Sequence, residues 1–208
     1  MENFVITIAR QYGSGGRTIG QMLAKKLDYS FYDKQIIRMA SDESGIDLSL
    51  FGKIEGGEKK PSFFSRTGLY KGGLISPGSK EFLSDENLFN YQAKVVNDLA
   101  AKEHMVVVGR CVNYVFKDRP NTLRVFIYAP WEFRVEKSME KISGSREDVE
   151  DFLRKDDKRK QDYYRRFAGG VWNDAVNYDL CLNSEKLGFE KCVDMIMHHR
   201  NLMLGNAE

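Results

Sequence analysis

Residues 4–27, FVITIARQYGSGGRTIGQMLAKKL, constrain the fold more than any other stretch of the chain. Phe4, Val5, Ile6 and Ile8 form a short β-branched and aromatic run of the kind found in strands covered on both faces. The run stops at Arg10. Gly13, Gly15 and Gly16 then permit conformations and close approaches that a Cβ would block, and Ile19, Met22, Leu23 and Leu27 resume at helical spacing. A strand feeding a helix through glycines makes an anion site: the amides from Ser14 to Thr18 would point inward, with the positive end of the helix dipole behind them. A turn serving only close packing of helix on sheet is the plainer alternative, and the cation inside the turn favours phosphate over it.

The turn nearly spells the P-loop pattern of glycine, four residues, glycine, lysine, then serine or threonine. Gln11 stands where the first glycine would be and Arg17 where the lysine would be, while Gly16 and Thr18 fit.

A length of 208 residues suits one well-cored domain with room for an insertion. Lys+Arg total 32 against Asp+Glu 30, so overall charge offers no basis for binding a nucleic acid polymer or a membrane surface, and any phosphate affinity must be local. The chain enters a strand almost at once and holds no apolar run of bilayer length, so the expectation is a soluble cytoplasmic protein with no membrane partner. Cys111, Cys181 and Cys192 are odd in number, widely spaced and set in apolar segments, as buried thiols are. His198 and His199 are adjacent and read as surface residues.

Further strands are expected at 30–32, 105–108, 123–129 and 178–182. They alternate with helices after Asp33, over 81–103, after Pro130 at the first turn, and over 189–199. Such alternation argues for a parallel sheet covered on both faces. Asp33 reads equally as an N-cap and as a residue of the ligand crevice, where the strand ends facing the glycine turn converge. Gly109-Arg110, directly after a core strand, places a guanidinium at the same crevice edge.

Two segments stand apart. Residues 52–80, rich in glycine, serine, lysine and aromatics, read as a long loop or substrate flap carrying Lys59, Lys60, Arg66, Lys71 and Lys80, with Phe63, Phe64 and Tyr70 as aromatics that an interface between chains could use. Residues 145–167 are the most charged. Glu150 with Arg154, Asp151 with Lys155 and Asp156 with Lys160 have the spacing of ion pairs on a solvated helix. Arg159 and Arg166 lie two turns apart on one face, and a hinged helix bearing them could close over transferring phosphates.

ITIARQYGSGGRTIG, FYDKQII, VVVGRC, DKRKQDYYRRF and NYDLCLNSEKLG together resemble the cytidylate kinase-like proteins among the P-loop nucleoside monophosphate kinases, nearly end to end. The resemblance implies a three-layer α/β/α P-loop kinase fold with a five-stranded parallel sheet, a monophosphate-binding insertion within 33–104 and a helical lid at 143–170. It implies ATP and Mg2+ as cofactors and a nucleoside monophosphate or other small phosphate acceptor as partner. Gly13, Ser14, Gly15, Gly16, Arg17 and Thr18 would hold the donor phosphates, with Thr18 helping to bind magnesium. Asp33, Arg110, Arg134 and Asp156 would face the acceptor, and Arg17, Arg154, Arg159 and Arg166 would act on the transferring group. Arg154, Asp156 and Arg159 resemble the arginine, aspartate and arginine pattern of the lid. Two positions depart from true cytidylate kinases, which carry lysine at Arg17 and aspartate at Cys111. A nucleotide-binding sensor with little turnover and a kinase of a small metabolite are the alternatives.

Overall fold

The N-terminal apolar run becomes β1 (Val5–Arg10), the middle strand of the sheet, whose first five residues are buried. The computed structural model describes residues 3–56 and 73–205. After the glycine turn comes α1 (Gly16–Leu27), then β2 (Ser30–Tyr32), α2 (Gln35–Ser44) and α3 (Leu48–Gly56). The chain continues with α4 (Asp85–Lys102), β3 (Met105–Val108), α5 (Val112–Val115), β4 (Thr122–Tyr128) and α6 (Trp131–Met139). It closes with α7 (Arg146–Ala168), a short 3-10 turn (Ala175–Asn177), β5 (Leu180–Asn183), α8 (Ser184–Leu187) and α9 (Phe189–Met203).

The described residues form a five-stranded sheet in the order β2-β3-β1-β4-β5. Every pairing is parallel; Val5 registers with Met105 on one side and with Thr122 on the other. All strands therefore end on one edge, and the connections leaving β1 and its neighbours open a crevice there.

Each face of the sheet has its own core. Ile6, Ile8, Val106, Val108, Leu123, Val125 and Ile127 pack under α1 and α9, reached through Ile19, Leu23, Val193 and Ile196. Val5, Met105, Val107 and Phe126 pack on the other face with α2 and α4, contributing Ile36, Ala40, Leu88, Val95 and Val96. This is the three-layer α/β/α arrangement expected from the strand and helix alternation.

Three local differences from the sequence expectations have physical reasons. The segment expected to be irregular from residue 52 stays helical to Gly56, because Phe51 and Ile54 are buried and a Cβ at Gly52 would meet nothing within 4 Å. Burying two large side chains outweighs the ~1 kcal/mol cost of an exposed helical glycine. Lys59, Lys60, Phe63, Phe64, Arg66, Tyr70 and Lys71 lie outside the described residues. Residues 73–84 are tied to α4 by buried Asn87, whose amide receives the Ile75 N–H and donates to the Phe82 carbonyl at 2.8 Å each. Pro130 is the N-cap of α6 instead of a first-turn residue.

The charged segment forms α7, held at both ends. Its N-terminal half packs Val149 and Leu153 against Val135 of α6, under a capping box made by Ser145 and Asp148. Its C-terminal half buries Tyr164 and Phe167 in the larger core, where Phe167 stacks on Phe89 at 4.4 Å between centroids. No helix among the described residues is long and apolar enough to cross a membrane.

Candidate functional site

The glycine turn is built for backbone donation. Gly13 and Gly15 have φ of 80° and 76°, the left-handed region that glycine occupies without penalty. Gly15 is the N-cap of α1, no side chain caps that end, and the first turn holds no acid. The amides of residues 16–18 thus remain available to an anion, with the helix dipole behind them. Packing also uses these glycines: a Cβ at Gly16 would come 2.5 Å from the Arg10 Cβ, and one at Gly15 would collide with the Phe189 ring.

Gln11, the departure from the first P-loop glycine, ties the turn to β4. Its N–H donates to the Ile127 carbonyl at 3.1 Å, and its side-chain oxygen accepts from the Ala129 N–H at 3.1 Å. Buried Ser14 donates to the Gln11 carbonyl at 2.8 Å, while Ser184 at the start of α8 donates to the Ser14 carbonyl at 2.6 Å. Ser14 therefore braces the loop from beneath.

Across the crevice, β3 ends in Gly109, Arg110 and Cys111, all left-handed with φ of 83°, 58° and 54°. Two consecutive non-glycine residues in that region store strain of about 1 kcal/mol or more each, which surrounding contacts must offset. The turn aims the buried Arg110 guanidinium at Asp33, Nη1 to Oδ1 3.4 Å. A Cβ on Gly109 would collide with the Arg10 guanidinium, so glycine here leaves room for Arg10.

Asp33 is the meeting point of the two walls. It is 3% exposed, with Arg17 Nε 2.9 Å from Oδ2 and Arg10 Nη2 3.9 Å from Oδ1, besides Arg110. The N-cap of α2 is Lys34 and has no side-chain bond, so the Asp33 carboxylate serves the crevice and not the helix end.

α7 supplies the third wall. The Asp156–Lys160 pair expected on a solvated helix exists at 2.6 Å but is buried, with the side chains 6% and 14% exposed. Arg159 bonds the same carboxylate at 2.5 Å. Burial works against the Asp156 carboxylate, but Lys160 and Arg159 together outweigh it and hold its pKa below the usual value. Burial, then the Arg10 charge, pushes Lys160 down to about 8. Asp151 pairs with Arg154 at 3.3 Å instead of with Lys155.

Two adjoining cavities occupy the crevice. The larger, about 730 Å³, runs along the glycine turn, with Gly13, Gly15, Gly16, Arg17, Thr18 and Asp156 in its wall. The smaller, about 410 Å³, lies between the end of β3 and α7, where Arg110, Asn113, Tyr163, Tyr164 and Trp172 line it. Asn113 donates to the Tyr164 hydroxyl at 3.2 Å, and burial pushes that phenol up to about 12. Arg10, Asp33, Lys34, Arg159 and Lys160 border both cavities.

Three expected arginines lie elsewhere. Arg134 is buried under the glycine turn, bonding the Tyr12 carbonyl at 2.8 Å and Asp157 at 2.8 Å. Arg154 is an exposed partner of Glu150 at 3.1 Å and lies over the Trp131 ring. Arg166 pairs at 2.5 Å with buried Asp85 of α4. None of the three borders either cavity. Sequence reasoning missed Arg10, Lys34 and Lys160. Arg10 ended a strand, and Lys160 had the spacing of a surface ion pair; nothing in spacing alone distinguishes a solvated pair from a buried one. Cys111 and Cys192 are buried, Cys181 is half-buried, and no cluster of potential metal ligands occurs among the described residues.

The sequence model of the cytidylate kinase-like family matches residues 5–186. A cytidylate kinase of Methanosarcina barkeri (strain Fusaro / DSM 804) is 23% identical over 194 residues, covering 92% of this chain and 93% of its own. Among solved structures, an uncharacterized protein from Eubacterium ventriosum ATCC 27560 is similar with a TM-score of 0.69 at 20% identity, over 96% of this chain and 99% of its own. The shikimate kinase of Bacteroides thetaiotaomicron is similar with a TM-score of 0.51 at 12% identity, over 97% and 98% of the two chains. That of Acinetobacter baumannii, in complex with shikimate, gives 0.50 at 16%, over 98% and 94%. These structural likenesses show the fold, an α/β P-loop kinase fold.

Proposed function

The chain belongs to the cytidylate kinase-like family, and from that premise we propose that it transfers the γ-phosphoryl group of ATP to a nucleoside monophosphate, CMP or dCMP. The observation that carries this reading is the pair of adjoining cavities, one along an uncapped glycine turn and one behind Arg110, sharing a wall made of Arg10, Lys34, Arg159, Lys160 and the buried Asp33.

The donor fits the larger cavity. The amides of residues 16–18 would hold its phosphates, with Arg17 gripping the β and γ oxygens through a planar fork where a lysine would present a point charge. The half-buried Thr18 stands in the first turn of α1, where it would hold a magnesium ion whose charge would neutralise the same oxygens. The acceptor monophosphate would occupy the smaller cavity, its phosphate facing Arg110 and Arg159.

In the reaction an acceptor phosphate oxygen forms a bond to the γ-phosphorus as the bond to the β–γ bridging oxygen breaks, leaving a nucleoside diphosphate on each side. The acceptor is already an anionic nucleophile, so no general base is required. The protein must align two anions and stabilise charge on the group between them.

A second reading, a nucleotide sensor with little turnover, draws on the Arg17–Asp33 contact, which engages the cation of the phosphate loop. A coupled assay with ATP, magnesium and a panel of monophosphates and small phosphorylatable metabolites separates the readings. Turnover with CMP or dCMP above the rest is expected. ATP binding by calorimetry with no product from any acceptor would establish the sensor, and preferred turnover of a metabolite would replace the acceptor.

A further inference from the structure

Lys160 is the side chain whose placement sequence spacing most misjudged. It sits in the middle of α7, a helix anchored at both ends, and borders both cavities at their junction. Its Nζ lies 2.6 Å from Asp156 Oδ2 and donates to the Arg10 carbonyl at 3.2 Å, with the Trp172 ring centroid 5.5 Å away. An ammonium has three protons to donate, and these two acceptors account for two of them. The ring face favours the charge without accepting a strong bond. The third proton has no acceptor among the described residues.

The groups around it do not supply a surplus of negative charge. Asp156 is shared with Arg159, and Asp157 is engaged by Arg134. Asp33, after β2, is surrounded by Arg10, Arg17 and Arg110. Lys34 adds a further cation, and Tyr163 and Tyr164 face the same space, the Tyr164 phenol pushed up to about 12 by burial. A buried ammonium so placed shares its one carboxylate with Arg159 and keeps a proton to donate where the two nucleotides of the proposed reaction would meet.

We propose that Lys160 contacts the transferring phosphoryl group, providing at the junction of the cavities the compact point charge that the phosphate loop gives up by carrying Arg17. The inference rests on the phosphotransferase reading above. Arg17 has its Nε on Asp33 at 2.9 Å, so its fork spans the donor and acceptor walls. Lys160 approaches the same junction from α7 and is held by backbone and carboxylate contacts that do not involve Arg17. A phosphate at the third proton would restore the ammonium's charge balance and stabilise its protonated form.

Binding of that kind carries a proton signature. Lys160 is pushed down to about 8, by burial first and then by Arg10, so just above that pH the free protein holds it largely neutral. A bound phosphate raises its pKa, and magnesium-ATP binding then takes up a fraction of a proton, read by calorimetry in buffers of different ionisation enthalpy. Asp156 is held below the usual carboxylate value by Lys160 and Arg159, and burial has pushed Tyr164 up to about 12, so neither exchanges a proton at that pH.

The test compares wild type with Lys160→Gln and Lys160→Arg, each first checked for a cooperative thermal transition. Wild type should take up protons on binding magnesium-ATP near pH 8.5, and Lys160→Arg, charged throughout, should take up none while keeping turnover as pH rises. Lys160→Gln should lose about a hundredfold or more in kcat. Proton uptake undiminished in Lys160→Arg, or turnover of Lys160→Gln within about threefold of wild type, overturns the inference and leaves the kinase reading intact. Proton uptake that depends on Lys160 in a protein with no turnover upholds the phosphate contact and sinks phosphotransfer. A wild type that binds no nucleotide removes both.

Discussion

Arg17 Nε stands 2.9 Å from Asp33 Oδ2, joining the glycine turn after β1 to the turn after β2 across the crevice. The carboxylate is 4% exposed and the arginine 59%, so a buried anion holds a cation that faces solvent. The departure from the P-loop lysine is thereby accommodated. A guanidinium on a long stem reaches a carboxylate and still presents two further nitrogens to a phosphate.

Replacing Arg17 should therefore be costly in either direction. Arg17→Ala is expected to lower kcat/KM for ATP by on the order of a thousandfold, the loss typical of an arginine acting on a transferring phosphoryl group. Arg17→Lys is expected to recover only part of that, since an ammonium cannot hold Asp33 and a phosphate through separate nitrogens. Steady-state kinetics with varied ATP decide it, and a gain of turnover in Arg17→Lys would favour the sensor reading.

Asp33→Asn should destabilise the fold as well as the site. Arg110 is 7% exposed beside it, and removing one charge from a buried pair typically costs about 3 kcal/mol or more. A fall in the denaturant midpoint with unchanged slope would show this, and nucleotide should restore part of the loss through its phosphates.

Gly15→Ala tests the two demands on that position separately. Its Cβ would collide with the flexible Phe189 ring, and its φ of 76° would cost an alanine about 1 kcal/mol. Combining it with Phe189→Ala should relieve the collision and leave the backbone cost, giving a favourable coupling energy in a double-mutant cycle of stability. Additive single effects would show that Phe189 does not rest on Gly15.

Arg166→Ala should act chiefly on stability. Arg166 pairs at 2.5 Å with Asp85, whose side chain is 3% exposed, and borders neither cavity. A drop in melting temperature with kcat within a few-fold of wild type is expected. A large loss of kcat in a protein of unchanged stability would place Arg166 in the reaction.

Acid sensitivity has a structural source at the edge of the sheet. Asp179 leads into β5 and receives bonds from the Arg124 guanidinium at 2.5 and 3.1 Å and from its backbone N–H at 2.8 Å. Burial opposes its charge, but Arg124 outweighs burial and holds the carboxyl below its ordinary value of 3.8. A depressed carboxyl stabilises the fold fully above its unfolded value, and that contribution is lost as pH falls through the folded value. Asp179→Asn should cost about 1 kcal/mol at neutral pH, and the variant and wild type should converge in stability as pH falls through the depressed folded-state value, read in urea titrations.

The strands and helices of the fold were legible because each is written in local chemistry: β-branched runs for strands and helical spacing after glycines. So was the glycine turn, since backbone freedom and a helix N-terminus are properties of a short stretch. The five-stranded parallel sheet follows from the same alternation and the family resemblance, whereas the strand order β2-β3-β1-β4-β5 came only from the structure. What the chain could not reveal by itself is which cations meet in the crevice. Arg134, Arg154 and Arg166 have the same charge as Arg17, Arg110 and Arg159, yet they are engaged by Asp157, Glu150 and Asp85 outside the cavities. Helical periodicity specifies which residues share a face of α7, but not what that face packs against. Only the seating of Tyr164 and Phe167 in the core, with Val149 and Leu153 on α6, turns Asp156, Arg159 and Lys160 inward and converts a pair with surface spacing into a buried one.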